Sequence, residues 1–285
     1  MDVSTLIDGF LLAKEAEGLK DTSLTIYRNV LKYLKRYLPP EKLEDASLIT
    51  PQDLQAWVVS MRNLAAATRD HRIAKCKTFF KWAVDNGFLE RNPSTVLKRP
   101  KETWQPDPFS EEELMFLLDE AKEGRMGVRD YAIICLLLDS GIRNTELRNL
   151  RPEDISMKTG QVKIREGKGS KPRTVFIGKR AKTALWRWMM VKPDTEWLFC
   201  SEREKKLGRT VLRRLVSIIG KRVGIRAYPH RFRHTFALQY LKLRGDPYSL
   251  QYLLGHEDMT VTRKYVKIAA KDVEDLYHSP LDALE

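Results

Sequence analysis

Between residues 24 and 38 apolar side chains recur at spacings of three and four: Leu24, Tyr27, Val30, Leu31, Leu34 and Leu38. That period predicts an amphipathic helix, begun by a Thr22 or Ser23 cap and ended by Pro39-Pro40. A following run, Leu54, Trp57, Val58 and Met61, is preceded by Thr50 as a cap, Pro51 in the first turn and Asp53 near the positive end of the helix dipole. The next run buries Ile73, Cys76, Phe79, Phe80 and Ala83 and stops at Asn86-Gly87. With one helix ahead of them, these make four helices joined by short connections over residues 1 to about 97.

Residues 98–108 hold three prolines and no helical period, which predicts an extended connection. Ser110 with Glu113 then forms a capping box ahead of Leu114, Leu117, Leu118 and Ala121. Tyr131 to Leu138 is apolar nearly all round, so it should cross the middle of a second core until Gly141 breaks it. Val162 and Ile164 alternate before a glycine-rich stretch, Glu166 to Lys171, and Val175 and Ile177 alternate after it, as in a hairpin. The expectation is a mainly α chain with a small β-hairpin, in two domains: residues 1–97 helical, 98–109 a linker, and 110–285 mixed α/β. A chain of 285 residues suits two modest domains better than one core.

Charge narrows the partner. Lys and Arg number 51 against 38 Asp and Glu, a net charge of +13, which favours a polyanion and makes nucleic acid the first expectation. No apolar run approaches the length of a spanning helix, and Met1-Asp2-Val3-Ser4 lacks the basic start of a signal peptide, so no membrane partner and a cytoplasmic setting are expected. The three cysteines are widely separated and form no C-x-x-C pair, which suits a reducing compartment and gives no reason to expect a structural metal. Gly167-Lys168-Gly169 lacks the spacing of a nucleotide-phosphate loop, and His230 with His234 lacks a third ligand, so neither a cofactor nor a metal is expected.

What remains is a set of groups suited to a phosphate: Arg143 after a glycine break, Lys168 at the hairpin tip, and His230-Arg231-Phe232-Arg233-His234 behind Pro229, where a helix starts. Each has a plain alternative. Arg143 can pair with Glu146 at i,i+3, Lys168 can be an exposed lysine, His234 a core histidine, and Tyr265 an amphipathic tyrosine in phase with Val261 and Ile268. Arg69, Arg72, Lys77 and Lys81 alone read as a solvated helix face.

Taken in order, these residues resemble the motifs of the tyrosine recombinases. Gly141-Ile-Arg143-Asn-Thr-Glu146-Leu147 resembles the first arginine box, and Gly167-Lys168-Gly169-Ser-Lys171 the catalytic hairpin lysine. Pro229 to Ala237 resembles the H-x-x-R box, with Phe232 where leucine is more usual, and Leu253-Leu254-Gly255-His256 the second histidine box. Tyr265 stands nine residues past His256, about the family's distance to its nucleophile.

The resemblance implies a site-specific recombinase of Xer-like or simple integrase type, with a helical core-binding domain and a catalytic domain closing on duplex DNA as a clamp. It implies Tyr265 as nucleophile, Arg143, Arg233 and His256 as phosphate ligands, Lys168 as the acid, His230 in proton movement, and Glu146 and His234 in support. Arg69, Arg72, Lys77, Lys81, Lys98, Arg99, Lys101 and Arg231 are then expected DNA contacts. Residues 271–285 become a subunit-exchange segment, in a protein that is a monomer or weak dimer when free and a tetramer on DNA. A type IB topoisomerase and a catalytically silent architectural DNA-binding protein are the alternatives. The target site and the biological task, chromosome dimer resolution or movement of a mobile element, are not legible in these residues.

Overall fold

The computed structural model describes residues 1–100, 106–165, 172–244 and 246–269. The chain divides into two compact units, Met1–Trp104 and Gln105–Glu285.

The first unit is built from α1 (Val3–Ala16), α2 (Asp21–Tyr37), α3 (Pro40–Glu44), α4 (Pro51–Ser60) and α5 (Ala66–Asp85). The α2 helix starts earlier than a Thr22 or Ser23 cap would have it. Lys20 is its N-cap without a side-chain bond, because the backbone N–H groups of Ser23 and Leu24 close the first turn on the Lys20 carbonyl and Asp21 supplies the negative charge at that end. The double proline ends α2 and also seeds α3, a short helix with no apolar period to announce it. Thr50 and Asp53 close the expected capping box on α4, and Gly87, at φ 73°, follows the Asn86 cap of α5. The core centres on Phe10, whose ring meets those of Tyr27, Phe79 and Trp82 edge-on at 5.1, 5.4 and 5.4 Å.

In the second unit α6 (Glu111–Glu120) begins with the Ser110–Glu113 capping box. The apolar segment becomes α7 (Gly127–Ser140), with Ile133, Ile134, Leu136 and Leu137 fully buried. It packs against β2 (Arg173–Phe176), α9 (Lys179–Val191) and α11 (Pro229–Arg244), which explains why Tyr131 to Leu138 is apolar nearly all round. Gly141 ends it at φ 59°, where an added Cβ would lie 2.3 Å from the Phe236 ring, so only glycine fits the turn. The six-residue α8 (Asn144–Asn149) follows.

The hairpin forms as the alternation predicted: β1 (Gln161–Ile164) pairs antiparallel with β2, Val162 opposite Val175 and Ile164 opposite Arg173. Val162, Ile164, Arg173 and Val175 all face inward. The chain continues through α10 (Arg209–Arg222), α12 (Pro247–Leu254) and α13 (Met259–Ala269). No described helix is long and apolar enough to cross a membrane.

Candidate active site

The glycine turn after α7 delivers Arg143 to the N-cap of α8. Its backbone N–H donates to Glu146 Oε2 at 2.7 Å, one Nη donates to Oε1 at 2.9 Å, and the other Nη donates to the Gly255 carbonyl at 2.6 Å. The local i,i+3 pairing is therefore real, and it is one part of a larger frame. Arg173 donates to both oxygens of Glu146, at 2.9 and 2.8 Å, and its Nε donates to the Leu253 carbonyl at 2.8 Å. From α11, Arg233 donates to the carbonyls of Gly141 at 2.8 Å and Leu254 at 2.7 Å.

Three consecutive carbonyls at the end of α12, those of Leu253, Leu254 and Gly255, thus each receive a different guanidinium. The last carbonyls of a helix lack intrahelical donors and form the negative end of its dipole, so cations are the fitting partners. Gly255 sits there at φ 60°, and a Cβ on it would approach the Arg173 guanidinium to 3.0 Å. His256 leaves this turn with its ring parallel to that of Tyr265, 6.4 Å between centroids, and its Nδ1 shares a hydrogen bond with Thr262 Oγ1 at 2.9 Å. The Tyr265 hydroxyl shares a 2.7 Å hydrogen bond with His234 Nδ1, and the His234 ring stands 4.5 Å from that of His230. Tyr265 is buried at 1% exposure, whereas Tyr252 is exposed, its hydroxyl accepting the Thr174 backbone N–H at 3.4 Å.

Three arginines face one carboxylate, so the site carries surplus positive charge. Burial alone would raise the Glu146 carboxyl, but the hydrogen bonds and charge of Arg173, followed by those of Arg143, overturn that and hold it at about 2. Arg233 is 2% exposed and forms no ion pair among the described residues; burial and then the charge of Arg143 push it below the ordinary arginine value. Burial and then the charges of Arg233 and Arg143 bring His256 down to about 3. Burial, then His230 and Arg233, bring His234 to about 4. His230 lies at the exposed rim and is also shifted down, by lost hydration and then by Arg233 and Arg143. Burial pushes the Tyr265 phenol up to about 12, with Arg233 opposing it. At neutral pH the phenol is intact, the imidazoles are neutral and the arginines are charged.

This pattern sets a stability trend. Folding lowers the affinity of His234 for a proton, so the unfolded chain binds more protons between the reference value of about 6.5 and the folded value of about 4, and stability falls as pH drops through that window. From pH 7 to pH 5 this buried ring should cost on the order of 2 kcal/mol, lowering the melting temperature of the second unit by about 6 °C. Thermal unfolding of the parent and of His234→Gln at both pH values checks this; an equal drop in the two proteins would rule out His234 as a source.

The structure gathers Arg143, Glu146, Arg233, His234, His256 and Tyr265 in one place, with His230 at its edge. Lys168, Lys101 and the segment 271–285 lie outside the described residues. Arg231 is corrected. An expected DNA contact, it is instead 6% exposed, paired with Glu113 at 2.9 Å and Asp107 at 3.3 Å, and laid over the Phe109 ring at 4.1 Å, so it ties the start of α6 to α11. In the first unit, Lys77 donates to the carbonyls of Thr95 and Leu97, Arg72 covers the Tyr33 ring, Lys81 pairs with Asp85, and Arg99 makes a bidentate pair with Asp70; Lys98 is exposed and Arg69 half-buried. Among the described residues no group of three or more His, Cys, Asp or Glu could hold a metal ion. Sequence reasoning missed Arg173 and Thr262. Arg173 did carry a signal, since it is in phase with the inward Val175 and Ile177, where a charge demands a buried partner.

Known proteins are similar to this chain at the level of family. The model of the phage integrase family matches residues 108–272, and that of the phage integrase N-terminal SAM-like domain matches residues 7–87. The tyrosine recombinase XerC of Oceanobacillus iheyensis is 29% identical over 96% of this chain and 94% of its own. That of Syntrophus aciditrophicus is 32% identical over 76% of this chain and 74% of its own. Among solved structures, the Tn1549 transposon integrase in complex with a circular intermediate DNA aligns with a TM-score of 0.82 at 17% identity, over 97% of this chain and all of that one. A lambda integrase dimer bound to a core site aligns at 0.80 and 18% identity, over 93% and 77%. These relatives favour a recombinase over a topoisomerase or a silent binding protein. With a family match spanning more than half its length, the chain belongs to the phage integrase family, as a tyrosine recombinase related to the Xer enzymes.

Proposed function

We propose that this site-specific recombinase cleaves duplex DNA by attack of the Tyr265 hydroxyl on a backbone phosphate held by Arg143, Arg233 and His256. The observation that supports this reading is a buried tyrosine whose hydroxyl bonds the His234 ring and whose own ring lies parallel to that of His256, next to the helix end that seats Arg143 and Arg233. A phenol at about 12 attacks only if its charge is stabilised as it develops, and fixed arginine forks supply that stabilisation without reorganisation. In the step, the Tyr265 oxygen bonds to phosphorus, the bond to the 5′ oxygen breaks, and the phenol proton leaves through His234 or His230. The leaving 5′ oxygen takes a proton from Lys168. The 3′-phosphotyrosine keeps the bond energy for resealing by a new 5′-hydroxyl, with no cofactor in the cycle. The basic residues Arg69, Arg72, Lys98, Arg99 and Lys101 contact phosphates along the duplex, and the tail 271–285 couples subunits in a tetramer on DNA.

A nicked suicide substrate tests the reading: the trapped adduct should digest to a single phosphotyrosyl peptide carrying Tyr265, and an adduct on another residue, or none, would overturn it. Lys168→Ala should slow cleavage about 100-fold on ordinary DNA and recover most of that on a substrate with sulfur at the 5′ bridging position, because a thiolate leaves without a proton. Equal defects on both substrates would remove Lys168 as the acid.

A further inference from the structure

We propose that Arg173 is a positioning residue for cleavage, holding Glu146 so that the carboxylate does not cancel the charge of Arg143 and Arg143 stays aimed at the phosphate. The inference rests on the reading of Arg143 as a phosphate ligand.

Arg173 cannot itself reach substrate. Its side chain is 3% exposed, against 33% for Arg143, and its guanidinium is covered by Glu146, the Leu253 carbonyl and the turn at Gly255. The described contacts engage both of its Nη groups and Nε with internal acceptors in a planar fork.

Its effect on Arg143 follows from sharing one carboxylate. Each Glu146 oxygen accepts one donor from Arg143 and one from Arg173, so the carboxylate is pinned at both ends and its single negative charge is divided between two guanidiniums. Without Arg173, Glu146 would be free to turn and pair fully with Arg143, drawing that guanidinium off the Gly255 carbonyl and cancelling the charge it offers a phosphate. The same loss would leave the buried Leu253 carbonyl without its guanidinium donor, two residues before the Gly255 carbonyl that holds Arg143. Since Arg173 opens β2, that end of the strand pair and the phosphate ligand are parts of one frame.

The test is a double-mutant cycle read by single-turnover cleavage of a nicked suicide substrate at saturating protein, with half-site affinity measured separately. Arg173→Met should cleave about 100-fold more slowly, as a misplaced active-site group does, while its DNA affinity stays within about threefold of the parent. Adding Glu146→Gln should restore about tenfold of the loss, because the neutral amide no longer cancels Arg143. A residue with a merely structural part would give a double variant as slow as the single one, or slower, and that result overturns the proposal, as does parental cleavage by Arg173→Met. If Arg173→Met fails to fold, Arg173→Lys takes its place in the cycle: it keeps the charge without the fork, should be slowed about tenfold, and should again gain from Glu146→Gln. Failure of the parent itself to form an adduct at Tyr265 would instead strike the functional reading beneath it.

Discussion

Tyr265→Phe should abolish the covalent DNA adduct, lowering cleavage by about 10,000-fold or more, while half-site affinity stays within about twofold of the parent. Only the phenolic oxygen is removed. The ring keeps its burial and its place beside His256, and the lost hydrogen bond to His234 should cost about 1 kcal/mol of stability. If binding draws on the proposed phosphate contacts spread over the protein, one hydroxyl contributes little to it. The comparison with Tyr252→Phe makes the result specific. Tyr252 is exposed and should retain full cleavage, so an adduct that survived in Tyr265→Phe and vanished in Tyr252→Phe would relocate the nucleophile.

Arg233→Ala should come next in size, with cleavage reduced about 1,000-fold at saturating DNA and half-site affinity by less than about tenfold. A guanidinium carries five N–H donors, and two of those on Arg233 are held by the Gly141 and Leu254 carbonyls. The fork is therefore fixed by the protein before substrate arrives, and no carboxylate among the described residues pairs with it directly, Glu146 acting on it only through space. Burial makes such a charge costly when empty and strong when a phosphate completes it. Two effects on stability oppose each other in the variant: a buried charge is relieved, but two carbonyls lose a donor at about 1–3 kcal/mol each. Arg233→Lys should recover only part of the rate, since an ammonium cannot hold both carbonyls and the phosphate in one plane. Cleavage within about tenfold of the parent in a folded Arg233→Ala would remove this arginine from the reaction.

The position of Arg233 also shows where sequence reasoning reaches and where it stops. Arg231 and Arg233 are two residues apart on α11, and both were open to a DNA-facing reading. About 200° of helix separates them, so they face different neighbours. Arg233 meets the turns after α7 and α12, whereas Arg231 meets Glu113 and Asp107, more than 110 residues earlier in the chain. Nothing local distinguishes the two fates.

What the sequence determined by itself is whatever depends on neighbours three or four residues away. The capping boxes at Thr50–Asp53 and Ser110–Glu113, the stop at Asn86-Gly87, the apolar α7 and the alternation of the hairpin were all legible, because each is a local hydrogen bond or a periodicity. The motifs around Arg143, His230, Arg233, His256 and Tyr265 were legible as chemistry and family. Only the tertiary structure decided how they are held. Arg173 finds Glu146 across 27 residues and the Leu253 carbonyl across 80, and Arg143 finds Gly255 across 112. A buried charge must find partners wherever the fold brings them, and burial fixes those partners through packing and through carbonyls that every residue possesses. The sequence therefore names the groups proposed to meet a phosphate, and the fold alone gathers three guanidiniums on the last carbonyls of one helix.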